Sequence, residues 1–111
     1  YNETPIDRGT IVECNVIGAL DMKDSGGQDW KVLVTPTSHV RNYRSLKDID
    51  PMFIKIASYF FRHYKDLNNS YVEVGDWYGK QKAYDIIKAC CSRFIPKESL
   101  AKYQKPLDIQ A

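Results

Sequence analysis

Apolar and polar positions along the chain change period several times, and each change marks an element. Residues 10–22 are β-rich: Ile11, Glu13, Asn15 and Ile17 alternate with Val12, Cys14 and Val16, the pattern of a strand with one well-buried and one mixed face. The run is long enough to bend, and Gly18 is its expected kink or bulge. Residues 31–35 form a second β-branched run, which Pro36 stops because proline cannot donate to a ladder. Between them Ser25, Gly26 and Gly27 supply the positive φ angles of a chain reversal, so the two runs read as a β-hairpin.

Residues 37–47, carrying His39, Arg41 and Arg44, read as a solvated connector, with an anion-attracting surface as the alternative. Asp50-Pro51 then opens a helix, aspartate as N-cap and proline at the first helical position. Phe53, Ile56, Ala57, Phe60 and Tyr64 recur at steps of three and four and predict the stripe that lies on the sheet. This helix should reach residue 65 or 66, and Asn68-Asn69-Ser70 turns the chain. Residues 71–76 alternate as a short strand. Asp76 would cap a second helix over about residues 78–94, with Ala83, Ile87, Cys90 and Phe94 as its core face and Pro96 beyond its end. Strands followed by helices packed on one side describe an α+β domain with a curled sheet.

Composition narrows this only a little. With 111 residues and a formal charge of +2, the chain supports one compact domain and argues against a strongly bound nucleic acid or membrane. No apolar run of about 18 residues and no basic-then-apolar leader occurs, so neither a transmembrane helix nor a signal peptide is expected. Three cysteines, Cys14, Cys90 and Cys91, fit unpaired thiols in a reducing compartment, so composition points to a soluble intracellular protein and nothing sharper. Residues 1–9 are a polar lead-in that reads as a join. Residues 95–111 have few apolar anchors and read as a tail or arm ordered only against another surface.

The candidate chemistry sits in the hairpin. Asp24 and Asp29 would stand on opposite shoulders of the loop, with Lys31 on the face of Asp29 because strand side chains alternate. Two hard oxygen donors beside a cation can hold Mg²⁺ and an anionic oxygen together, since Mg²⁺ keeps waters and favours carboxylates and substrate phosphates. A solvated turn is the competing reading. An EF-hand is excluded: with Asp21 at position one, Lys23 and Val32 fall where ligands are required. Taken alone, Tyr64 reads as a core aromatic and Lys65 as a helix-end cation favoured by the dipole.

Val16-Ile-Gly-Ala-Leu-Asp-Met22 followed by Asp24-Ser-Gly-Gly-Gln-Asp-Trp-Lys31 resembles the metal loop of the soluble family I inorganic pyrophosphatases. The resemblance continues through Lys47-Asp-Ile49, Phe60-Phe-Arg-His-Tyr-Lys-Asp66 and Gly75-Asp-Trp77, and covers most of residues 9–94. It implies Mg²⁺-dependent hydrolysis of pyrophosphate to two phosphates, several Mg²⁺ ions per site, a cytoplasmic homo-oligomer, and part of an OB-like five-stranded β-barrel with two flanking helices. Carried over by position, it makes Asp24 and Asp29 metal ligands, and Lys31, Tyr64 and Lys65 phosphate ligands. Asp24, Asp29 and Lys31 become the catalytic group.

Two departures from the family pattern matter. Ser25 stands where the family usually has an acid after the first loop aspartate. An Asp-x-Asp-Pro-x-Asp segment, which in the family holds the metals of the attacking hydroxide, does not occur, nor do the upstream Glu, Lys, Arg and Tyr groups. The chain is therefore expected to be the C-terminal part of a pyrophosphatase domain, residues 10–94, needing its N-terminal portion as partner and inactive alone. Two alternatives remain at this point. Trp30, Tyr43, Tyr71, Trp77 and Tyr78 could stack bases in an OB-like single-strand nucleic-acid binder, or the fold could serve as a non-catalytic interaction module.

Overall fold

The computed structural model describes residues 1–94, so the expected tail lies outside the described residues. Strand β1 (Cys14–Asp24) is central. β2 (Gly27–Gln28) and β3 (Lys31–Pro36) return antiparallel along one side of it, pairing Asp24 with Gly27, Leu20 with Lys31 and Cys14 with Pro36. β4 (Val72–Gly79) runs antiparallel along the other side, from Asp24 opposite Val72 to Gly18 opposite Gly79. Helix α1 (Pro51–His63) joins β3 to β4 through a connector that ends in a short 3₁₀ turn, and α2 (Lys80–Phe94) follows β4 directly.

The hairpin forms at the expected place, but of Ser25, Gly26 and Gly27 only Gly27 takes a positive φ. Gly27 has φ +111, and the Asp24 Oδ1 carboxylate oxygen accepts the Gly26 N–H at 2.8 Å, which fixes the turn from its own side chain. The first strand starts at Cys14 rather than near residue 10 and extends to Asp24, because Lys23 and Asp24 find partners in both β2 and β4. The register shifts between Val16 and Gly18, at the expected kink. Gly18 has a second reason to be glycine. A Cβ there would lie 2.6 Å from the Tyr78 carbonyl oxygen and 2.9 Å from Leu46 Cγ, so its absence lets β4 and the connector close on β1.

The sheet is open among the described residues, with β2 and β3 along one side of β1 and β4 along the other, and no barrel closes within it. Between β3 and α1 the gap is a cavity of about 320 Å³ lined by Lys31, Leu33, Phe53, Ala57, Phe61 and Trp77. Three expectations are corrected. The helices do not share one side. Leu33 and Trp77 pair with Gly18 and Leu20 and so lie on one face, against α1; Val32, opposite Ala19, lies on the other face with Ile86 and Ile87 of α2.

Asp76 does not cap a helix. It lies inside β4, where the next two residues, Trp77 and Tyr78, pair with Leu20 and Ala19, and the Trp77 indole N–H donates to Ser58 Oγ at 2.9 Å. That cross-element bond carries the strand past the local turn signal at Gly75-Asp76. The stripe of α1 is also rotated. Phe53, Ile54, Ala57, Ser58 and Phe61 face inward, while Ile56, Phe60 and Tyr64 are exposed. Asp50 does cap α1, its Oδ1 accepting the Met52 N–H at 2.8 Å.

The core gathers Ile17, Leu33, Tyr43 and Ile49, with Leu46, Phe53, Ile54 and Trp77 packed around it. Tyr43 comes from the connector, so that segment is tied down rather than merely solvated. On α2, Ala83 is fully buried, whereas Ile87 and Cys90 are half-buried.

Candidate functional site

The hairpin and the end of α1 meet at one end of the sheet. Asp24, the last residue of β1, has side-chain oxygens in two directions: Oδ1 takes the Gly26 N–H, and Oδ2 lies 3.6 Å from Lys65 Nζ. Asp29 closes the loop, its N–H donating to the Met22 carbonyl at 2.8 Å, and its Oδ2 pairs with Lys31 Nζ at 2.9 Å. Both pairs are partly open to water, with side-chain exposures between 23% and 34%. Pairs so exposed hold their geometry without contributing much stability.

Aromatic rings join the two pairs. Lys31 Nζ sits over the Phe61 ring at 5.6 Å, Phe61 meets Tyr64 edge-on at 5.6 Å, and Lys65 Nζ lies 5.4 Å from the Tyr64 ring centroid. Tyr64 also stacks on Phe60. All five residues singled out from the sequence therefore belong to one continuous cluster. Tyr64 is not a core aromatic: it caps α1 with 38% of its surface exposed. For Lys65, desolvation acts against the charge, but the neighbouring Tyr64 side chain and the Asp24 carboxylate outweigh it and hold the ammonium above its ordinary pKa.

Phe61 escapes a reading of the sequence alone, although its four-residue spacing from Ala57 and eight from Phe53 carries the signal of an inward face. Gln28 and Asp21 escape it as well; their side chains meet only once the strands are paired. His63, next to Tyr64 in the chain, lies on the surface, paired with Asp66 at 2.9 Å. The connector contains Asp48-Ile-Asp50-Pro51, a partial match to the acidic family segment, but both acids serve local turns. Asp48 Oδ2 accepts the N–H groups of Arg44 and Ser45, and Asp50 caps α1.

Two carboxylates partly open to solvent, with lysines nearby, have the donor chemistry of a site for a hard divalent cation shared with phosphate oxygens. Among the described residues no group of three or more His, Cys, Asp or Glu side chains is placed to hold a metal, so Asp24 and Asp29 offer part of a ligand set rather than a closed cage. The aromatics needed by a nucleic-acid platform are not on one exposed surface. Tyr43 is in the core, Trp77 is bonded to Ser58, and Trp30 meets Tyr78 edge-on beneath Lys82.

Fold and cluster together describe an α+β protein with a carboxylate–lysine cluster at one end of its sheet. The family model described as inorganic pyrophosphatase matches residues 1–95. An inorganic pyrophosphatase of Buchnera aphidicola subsp. Baizongia pistaciae is 38% identical over 95 residues, covering 81% of this chain and 54% of that protein. One from Geobacillus stearothermophilus is 35% identical over 92 residues, covering 81% and 56%. Among solved structures, an inorganic pyrophosphatase from Neisseria gonorrhoeae superposes with a TM-score of 0.77 at 32% identity, covering 83% of this chain and 56% of that one. The chain belongs to the family I inorganic pyrophosphatases. It spans about half the length of the curated relatives it matches. No helix among the described residues is long and apolar enough to cross a membrane.

Proposed function

We propose that residues 10–94 are the C-terminal part of a domain that hydrolyses inorganic pyrophosphate to two phosphates with Mg²⁺, and that the hairpin and the end of α1 form one wall of its active site. In this reading Asp24 and Asp29 hold divalent cations, and Lys31, Tyr64 and Lys65 take phosphate oxygens. The observation that carries it is the meeting of two distant segments: Lys65 Nζ, beyond the end of α1, lies 3.6 Å from the Asp24 carboxylate of the hairpin.

The chemistry suits that substrate. Pyrophosphate is a polyanion whose cleavage needs charge neutralisation, a nucleophile and a stabilised leaving group. Bound Mg²⁺ supplies a Lewis acid and an acidified water for these purposes. Lys31 and Lys65 offer point charges to phosphate oxygens, and the Tyr64 hydroxyl offers one directed hydrogen bond. Without substrate, the same lysines neutralise the acids they face. An incoming phosphate can draw Lys31 from Asp29 and Lys65 from Asp24, freeing carboxylate lone pairs for cations without leaving an isolated charge. The open sheet edges are where the remaining strands of an OB-like barrel would pair, and the complete enzyme is a cytoplasmic homo-oligomer in this reading.

Calorimetric titration of the 111-residue chain with methylenediphosphonate tests this. Binding is expected with Mg²⁺ present, to be lost without it, and to be lost in Asp24→Asn and Asp29→Asn. Binding that ignores Mg²⁺, or survives both substitutions, would sink the assignment. Phosphate release from pyrophosphate by this chain alone is expected to stay near background. Appreciable Mg²⁺-dependent release would show that the missing acids are not needed.

A further inference from the structure

The loop that presents Asp24 and Asp29 is held by a side-chain clamp that neither turn chemistry nor family likeness assigns. The Gln28 Nε2 group donates to Asp21 Oδ1 at 2.6 Å and to the Met22 carbonyl at 2.8 Å. Both neighbours are acceptors, so the carboxamide must present its NH₂ to them, and its orientation is determined. The Met22 carbonyl has two lone pairs, and the second takes the Asp29 N–H at 2.8 Å. One carbonyl thus joins the Gln28 side chain to the backbone of a candidate metal ligand. Asp24, two residues beyond Met22, is reached through the same stretch of β1.

Asp21 can accept from Gln28 because β4 makes room for it. The β1–β4 register shifts between Leu20 and Met22, which leaves Asp21 at the irregularity. Opposite it stands Gly75, where a Cβ would lie 3.0 Å from Asp21 Oδ2 and 3.3 Å from its Cβ and Cγ. A glycine on β4, an aspartate at the irregularity of β1 and a glutamine on β2 therefore form a line of contact across three strands that ends at the acid loop.

We propose that Gln28 is a positioning residue for divalent-cation binding, with Asp21 as its anchor and Gly75 as the gap that admits the anchor. The inference rests on the reading of Asp24 and Asp29 as metal ligands. Gln28 touches neither cation nor substrate; it sets where the Met22 carbonyl, and with it the Asp29 backbone, stands relative to Asp24. Partners of this kind, removed from a metal site, typically change metal affinity by about 10- to 100-fold.

The test compares the full chain with Gln28→Ala, Asp21→Ala, Asp21→Asn and Gly75→Ala, using Mn²⁺ as the probe. Mn²⁺ affinity is read by calorimetry and exchange of the Asp29 amide by NMR. In Gln28→Ala and Asp21→Ala, Mn²⁺ should bind about tenfold more weakly. The Asp29 amide should exchange measurably faster, and the far-ultraviolet spectrum should be unchanged. Asp21→Asn keeps an acceptor oxygen and should stay near wild type. Gly75→Ala should behave like Asp21→Ala, because the added methyl displaces the same carboxylate. If Asp24→Asn and Asp29→Asn lose Mn²⁺ while Gln28→Ala binds it as wild type does, the clamp is refuted and the metal reading stands. An Asp29 amide whose exchange is unchanged in Gln28→Ala refutes the clamp as well. If the wild-type chain takes up no Mn²⁺, the metal reading falls and the inference falls with it.

Discussion

Replacing Lys31 by methionine keeps the length and packing of the stem and removes only the ammonium. The structure gives that ammonium two partners, the Asp29 carboxylate at 2.9 Å and the Phe61 ring at 5.6 Å, and leaves it 34% exposed. An exposed pair contributes at most about 1 kcal/mol, and an exposed cation–π contact about 0.5–1 kcal/mol. Asp29 is itself 30% exposed, so once unpaired it is solvated by water rather than stranded. The folding cost of Lys31→Met should therefore stay below about 2 kcal/mol. The cost to phosphate binding should be larger, because a hydrogen bond to a charged group is worth about 1.5–3 kcal/mol, or roughly 10- to 150-fold in affinity. Affinity for Mn²⁺ alone should move the other way, holding or tightening, since a competing cation leaves Asp29. The assay is a pair of calorimetric titrations, Mn²⁺ alone and methylenediphosphonate at saturating Mg²⁺, with a melting curve as control. Unchanged diphosphonate affinity would refute the role of Lys31. A fall in Mn²⁺ affinity would show instead that Lys31 shapes the loop.

Three other outcomes check separate parts of the structure. Gly18→Ala places a methyl 2.6 Å from the Tyr78 carbonyl oxygen, a backbone atom that cannot swing aside. Overpacking of about 1–3 kcal/mol should lower Tm by at least about 4 °C, and an unchanged melting curve would mean that β4 is not held so close. Ser58→Ala removes the acceptor of the half-buried Trp77 indole and should cost about 1 kcal/mol, measured by urea unfolding. No loss there would mean that water replaces the serine. Lys65 should titrate above the ordinary lysine value, followed by NMR of its ε-protons, and Tyr64→Phe should bring it down. Because the folded pKa is raised, any stability tied to this charge is complete below about pH 10.4 and is lost only as pH rises through the raised value. A midpoint on the acid side of ordinary lysine would contradict the contact with Tyr64.

Local chemistry in the sequence was enough for the hairpin turn, the stop at Pro36, the kink at Gly18 and the Asp50 cap, because each is decided within a few residues. The phase of α1 was not legible. Apolar residues occur almost all round it, from Met52 to Phe61, so the stripe through Ile56 and Phe60 and the one through Ala57 and Phe61 fit the period equally well. Only the Trp77–Ser58 bond and the packing of Phe53 and Phe61 beneath the sheet select between them. The end of β4 failed for a related reason. Gly75-Asp76 is good turn chemistry, but pairing of Trp77 and Tyr78 with Leu20 and Ala19 overrides it.

The site divides along the same line. The acids and Lys31 were visible in the hairpin itself, whereas Tyr64 and Lys65 read locally as core and solvent and were reached through family resemblance. Gln28 and Asp21 could not have been found from the sequence. Their contact depends on the antiparallel return of β2 and on the gap at Gly75 in a strand more than forty residues away.

The claim that the hairpin acids and the end of α1 make one site can be tested directly with a paramagnetic ion. Mn²⁺ titrated into isotopically labelled chain should broaden the amide signals of residues 24–29 and, at the same metal concentration, those of Tyr64 and Lys65, with Asp24→Asn and Asp29→Asn abolishing both effects together. Broadening confined to the hairpin, or centred on some other surface, would contradict it.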